Sequence, residues 1–372
     1  MTGSLGPVAI VFMVVAAASP LTVVGGAAPL GIQLGNGPGY PMLYLVAGAV
    51  LVLFSVGLSA MARSVPRPGA FFTFVGYGLG RRAGLASAYL ALLSYTTIQL
   101  AVYAYVGELL ARAFPALGLH WGAWSLVVVA AVGLLGYRHV DLSSEVLGVV
   151  LVAEIAVVLA VVTGVIVTGG EAGLNVRPFL PSTVLSGQPG VGLMLATAAF
   201  IGFECNVVFR DEAREPSRTI PRATYAAVVL IAVFHALSTW GMIMSWGVGD
   251  VLAVAGQDPG SLLMSTTAKY LGATGQVLVN VLLVGSMFAC VLSFHNVIAR
   301  YQLSMAAAGC CPRGWPGCIR GGTGRRALPP WCRALPPRRW CWCSWRWGGT
   351  RSCRCSPGSP ASAPSPSRCS WR

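Results

Sequence analysis

The chain has 372 residues, 55% of them hydrophobic and only 10% charged. That much apolar surface exceeds what one soluble core can hide, which excludes a soluble domain and points to an all-α integral membrane protein. The formal net charge of +14 first suggests nucleic acid, but twelve of the 25 basic residues lie beyond Gly309, where no acid occurs, so the first 309 residues are nearly neutral and the basicity belongs to the tail.

Residues 6–34 form the first apolar stretch, interrupted by Pro20, Gly25-Gly26 and Pro29. It lacks the basic leader of a secretory signal and runs on past Pro20, so it reads as a first span. A break is expected near Gly25, and broken helices at membrane depth survive where the freed backbone groups line a cavity or are buried in protein. A second span covers about 40–62. Arg63, Arg67, Arg81 and Arg82 flank the Pro66-Arg67-Pro68-Gly69 connection after it, and the aromatic segment Ala70–Gly80 is too short to cross, so it reads as interfacial or re-entrant.

The third span, about 84–111, carries Tyr95 and Gln99 four residues apart on one helical face. They read as interhelical glue or as ligand contacts. The fourth covers about 122–137. The fifth, about 145–168, holds the intramembrane carboxylate Glu154, with no lysine. The sixth, about 192–209, contains Ala199-Phe200-Ile201-Gly202-Phe203-Glu204 and runs into a charged loop closed by Pro216 and Pro221. A carboxylate in an apolar span costs about 2.5–3.5 kcal/mol on insertion scales, so Glu204 reads as facing a cavity or polar partner, or else as snorkelling to the interface. The seventh span covers about 223–247 with His235 inside it. The eighth, about 275–299, includes Ser286, Ser293, His295 and Asn296.

Alternating the loops puts ten arginines on one side, and only Arg112, Arg177 and Lys269 on the other. The positive-inside rule makes the first side cytoplasmic, with the N-terminus there too. Each of two sets of spans opens with a Gly-interrupted helix, at Gly25-Gly26 and at Gly202, and the odd number of spans between them reverses their direction. That is the pattern of an inverted repeat with its ligand between the two broken helices.

Here the residues resemble the amino acid–polyamine–organocation permeases. The resemblance rests on Phe200-x-Gly202-Phe203-Glu204 followed by Glu212-x-x-Glu215-Pro216-x-Arg218-Thr219-Ile220-Pro221-Arg222-Ala223, on Val65-Pro66-Arg67-Pro68-Gly69-Ala70-Phe71 with Tyr77, and on Ser293-Phe294-His295-Asn296-x-x-Ala299-Arg300. The first-span motif departs from the commoner Gly-Ser-Gly form, reading Val24-Gly25-Gly26-Ala27-Ala28-Pro29. The resemblance implies an inverted-repeat, leucine-transporter-like helical bundle in the cell membrane, moving amino acids or polyamine-like amines by alternating access, with H+ or Na+ as coupling ion and no cofactor or nucleic acid. On that footing Gly25, Gly26 and Ala27 hold the substrate's carboxylate, and Ala199, Phe200 and Gly202 its amino group. Phe200 or Phe203 supplies an aromatic gate, because Ala198 stands where relatives carry a bulky aromatic. From their own positions, Tyr95 and Gln99 are further candidate substrate contacts, and Glu204 and Glu154, as carboxylates inside apolar spans, are the candidates for proton coupling. Relatives that use a fifth-span lysine provide no template here.

Residues 1–308 thus read as a permease domain with about eight of roughly twelve spans, and 309–372 as a disordered basic tail. Nine of the eleven cysteines and seven of the eleven tryptophans lie in that tail, leaving Cys205 and Cys290 as small core residues. The Cys-x-Cys pairs fit no standard zinc spacing. The tail reads as a metal-free lipid- or RNA-binding segment or, preferably, as coding sequence read out of frame: shifted codons for Cys310 to Ile319 allow Leu-Pro-x-Arg-x-Ala-Arg-x-His-Pro, similar to a loop of relatives after their eighth span. On that reading the 372-residue chain is inactive. A non-transporting receptor or scaffold with a basic tail is the alternative. A hydrolytic enzyme is the least favoured class, since no paired catalytic residues are evident.

Overall fold

A computed structural model describes residues 11, 14–15, 18–64, 71–137, 144–203, 216–307, 341–345 and 351–355. The chain divides into Met1–Cys318 and Ile319–Arg372. The first unit is helical throughout its regular structure, as a bilayer requires of a chain that must satisfy every backbone group internally. Among the described residues its helices of seven residues or more are α1 Pro20–Leu34, α2 Tyr40–Ser64, α3 Phe71–Leu79, α4 Arg81–Ala113, α5 Trp121–Tyr137, α6 Ser144–Thr168, α7 Pro189–Ala198, α8 Pro216–Trp246, α9 Val251–Gln257 and α10 Leu262–Ala307. Five of the described helical stretches are long and apolar enough to cross a membrane, and α1, α5 and α7 are shorter apolar helices.

Two boundaries differ from the sequence reading. Helix α8 begins at Pro216, within the expected loop, and carries Pro221 inside it. Pro221 is the sixth residue of this helix, so it costs one backbone bond, to the Ser217 carbonyl, close to the helix start. Helix α10 starts at Leu262 and is divided at Gly272, whose φ of 67° and ψ of −170° only glycine adopts readily. The part after Gly272 corresponds to the expected eighth span.

Helix α8 is the central element, with 72% of its most apolar window buried against 22% for α4. It packs on α2, whose Tyr40, Tyr44, Ala47, Ser55 and Leu58 are buried while Val50, Leu53 and Val56 on the other face stay exposed, as expected for a lipid-facing side. Close approach needs small residues: a Cβ at Gly48 of α2 would lie 2.6 Å from the Cβ of Ala232. Between α4 and α5 the contact is tighter still, with a Cβ at Gly107 falling 2.5 Å from the Trp121 carbonyl.

Charged side chains gather where α4 ends and α10 begins. Arg112 donates to Asp258 at 2.6 Å and to Glu108 at 2.8 Å, and Lys269 pairs with Glu171 and donates to the Ser245 carbonyl. The Arg112 guanidinium beside Asp258 holds its carboxyl below the usual carboxylate range. A depressed folded-state value means that the pair's stabilisation is complete above the unfolded value near about pH 4 and is lost as pH falls through the lowered one. Asp258→Asn is therefore expected to reduce the loss of stability on the acid side, by less than ~1 kcal/mol because the pair is largely solvated. Melts at neutral and acid pH check this, and an unchanged loss removes the pair from the stability of this end.

In the second unit, Cys341–Trp345 and Arg351–Cys355 form an antiparallel pair, with Cys341 opposite Cys355 and Cys343 opposite Cys353. The sequence reading expected no regular structure there. Trp342 and Trp345 in the first strand favour an extended chain, and the five-residue connection with Gly348-Gly349 is a hairpin signal, one that the unusual composition obscured.

Candidate functional site

The first apolar stretch is interrupted, though not where its glycines suggested. Ser19 takes a left-handed conformation, φ 44° and ψ 70°, and the helix restarts with Pro20 in its first turn. Restarting leaves first-turn amides without intrahelical partners. One of them, the Leu21 N–H, donates to the Glu154 carboxyl, which also bonds to the Ser286 hydroxyl. Thr22 donates to the same Ser286 oxygen at 3.4 Å, and the Cys290 thiol bonds to Ser19. Glu154 is 3% exposed, and its Oε2 has no partner among the described residues. A carboxyl group thus sits at the positive end of a half-helix, fixed by α1, α6 and α10 together.

Gly25 and Gly26 lie one turn further on, in a π-helical turn Val23–Ala27. This corrects the expected break: the helix stays wound at Gly25, and the Ala28 amide reaches back five residues to the Val23 carbonyl. The physical reason is Pro29. It supplies no N–H to the Gly25 carbonyl four residues before it, and the hydroxyl of Tyr105 on α4 donates there instead, at 2.7 Å. Gly25 is buried against Leu263 and Leu283, whereas Gly26 and Ala27 are partly exposed, and a Cβ at Gly26 would come within 2.8 Å of the Tyr105 ring.

The sixth-span interruption falls where the sequence put it. Helix α7 stops at Ala198; Phe200 and Ile201 then donate to carbonyls three residues back, and Gly202 has φ 110°. Phe200 is 1% exposed, with its ring 6.3 Å from that of His235. Phe203 meets Phe54 and Phe71 at 6.3 and 6.4 Å. The two interrupted stretches meet at one end, where the Gln188 amide donates to the Gly35 carbonyl at 3.0 Å and a Cβ at Gly35 would lie 2.8 Å from the Gly192 Cα.

Tyr95 and Gln99 face α10. The Gln99 amide donates to the Val291 carbonyl at 3.3 Å and to the Tyr103 hydroxyl at 3.0 Å. Tyr95 packs on Phe294 and Tyr301. Glu204, Cys205 and the acidic loop after them lie outside the described residues. Sequence reasoning missed Ser19 and Tyr105. The proline four residues after Gly25 signals an orphaned carbonyl, yet nothing in the sequence says which distant hydroxyl reaches it.

The model of the amino acid permease family matches residues 10–329. The chain belongs to the amino acid permease family. It is a multi-pass membrane protein, and the family match runs past Gly309 into the tail. The branched-chain amino acid permease BcaP of Lactococcus lactis subsp. cremoris (strain MG1363) is 23% identical over 229 residues, which cover 55% of this chain and 48% of that protein. The aromatic amino acid transport protein AroP of Escherichia coli (strain K12) is 27% identical over 249 residues, 61% of this chain and 53% of that one. The chain spans about half the length of the curated relatives it matches.

Proposed function

We propose that this permease moves amino acids or related organic amines across the cell membrane by alternating access, as an inverted repeat with its N-terminus in the cytoplasm and with a proton on Glu154 as the coupled species. The observation that carries it, in a chain of this family, is the buried Glu154 carboxyl closing onto the Leu21 amide at the interruption of α1. The substrate's carboxylate lies along the partly exposed side of the π-turn, at Gly26 and Ala27, and its amino group against the turn Ala199–Gly202. Phe200 is the aromatic gate.

Glu154 is chosen for this role on the geometry around it. It touches two helices besides its own, so adding or removing its proton changes how firmly α1 is held to α6 and α10. Ionised and unpaired in a membrane it costs about 2.5–3.5 kcal/mol, which a proton cancels. The arginines flanking the even-numbered connections support the orientation.

The composition change after Gly309 supports the further proposal that uptake requires the frame to be restored there. Labelled branched-chain and aromatic amino acids, offered to cells making the 372-residue chain or the frame-restored version, test both. Saturable, pH-dependent uptake by the restored version alone is the expected result. No uptake by either version overturns the transport reading, and equal uptake by both overturns the reading of the tail.

A further inference from the structure

The seventh span holds a second buried polar group that the transport reading does not use. His235 of α8 is fully buried, and neither ring nitrogen has a hydrogen-bond partner among the described residues. Each tautomer of a neutral imidazole has one donor and one acceptor, so two groups are left unmet. Beside it, on α2, stand Tyr40 and Tyr44, both fully buried, their rings 4.9 Å apart and that of Tyr44 5.1 Å from His235. The two hydroxyls approach each other but have no other partner among the described residues. Thr239, one helical turn beyond His235, adds a third buried hydroxyl without a partner. Unmet buried polar groups cost on the order of 1–3 kcal/mol each, and here four such side chains lie on two facing helices.

We propose that α2 and α8 enclose a small-anion site of chloride size, loaded together with a proton on His235. Its chemistry follows from what surrounds it. All four side chains can donate a hydrogen bond, and no carboxylate or cation touches them among the described residues. The carboxylate of α6, Glu154, is engaged with Leu21 and Ser286, and from the α7 side His235 meets only Phe200. A proton alone would leave a bare buried cation, and an anion alone a bare buried anion, either of them strongly unfavourable. Bound together they are neutral. The rings of Tyr44 and Phe234, at 5.1 and 5.8 Å, are within range to stabilise an imidazolium further. Because Phe200 sits at the sixth-span interruption, loading the site stiffens the gate from behind. That last step rests on the transport reading; the binding does not.

The test needs no transport. Purified full-length protein in detergent is melted in about 100 mM sodium gluconate or chloride, at about pH 5.5 and about pH 7.5. Chloride is expected to raise the melting temperature by about 3 °C at the lower pH and by less at the higher. Tyr44→Phe, which keeps the ring and removes one donor, should cut the rise to under about 1 °C. His235→Gln should remove its pH dependence. Should the His235 variant fail to fold, Tyr44→Phe decides alone. No chloride effect in the unaltered protein overturns the site, as does an equal chloride effect in Tyr44→Phe.

Discussion

Replacing Glu154 by Gln is expected to leave substrate binding at fixed pH within about threefold of the unaltered protein while flattening the pH dependence of uptake, if the proposed proton coupling runs through this carboxyl. Glutamine keeps an oxygen for the Leu21 amide and the Ser286 hydroxyl, so the hold on the restarted helix survives. What it removes is the ability to gain and lose a proton. Leucine at the same position removes the hydrogen bonds as well. It leaves the Leu21 amide and the Ser286 hydroxyl unmet at membrane depth, so Glu154→Leu should lose uptake by tenfold or more, consistent with roughly 1–3 kcal/mol for each unmet group. The informative comparison is Gln against Leu, measured as proton-driven uptake and as equilibrium binding in the frame-restored protein. A Gln variant with the original pH profile assigns Glu154 to structure and returns attention to Glu204. Replacing sodium with an organic cation in the same assay separates proton from sodium coupling.

Gly26→Leu should have the larger effect on binding, a loss of about a hundredfold or more, with membrane insertion intact. Even a methyl at Gly26 would sit 2.8 Å from the Tyr105 ring, and the hydroxyl of that ring is the donor to the Gly25 carbonyl. A leucine side chain therefore displaces Tyr105, strips the Gly25 carbonyl of its partner and fills the space beside the backbone at Gly26 and Ala27. Tyr105→Phe separates these effects: it removes the hydrogen bond and keeps the ring, so it should cost about tenfold or less. Equilibrium binding to the two variants ranks them. Binding undiminished by Gly26→Leu would falsify the placement of α1 in the substrate site.

Much of the fold was legible because the bilayer simplifies the reading. Apolar runs must be helices, and their lengths are bounded, so the apolar runs 122–137 and 145–168 coincide with the helices Trp121–Tyr137 and Ser144–Thr168. The positions of the interruptions were less legible. Gly202 was found because a glycine amid a sixth-span apolar run does need its positive φ. Gly25-Gly26 misled, because two glycines beside Pro29 also suit a π-turn, while the left-handed residue was Ser19, which no glycine rule marks.

Composition and periodicity by themselves determined that this is an all-helical membrane protein, which stretches are apolar, that Glu154 lies inside one of them, and that the basic tail differs in kind from the rest. Motif residues pointed to the family. Only the tertiary structure decided what Glu154 touches, that Tyr105 completes the backbone at Gly25, that Gln99 reaches the Val291 carbonyl, and that His235 stands between Tyr44 and Phe200. The physical reason is separation along the chain. A hydrogen bond between residues 80 or 192 positions apart depends on how whole helices pack, and helical periodicity encodes which face of each helix is polar without encoding which neighbour that face meets.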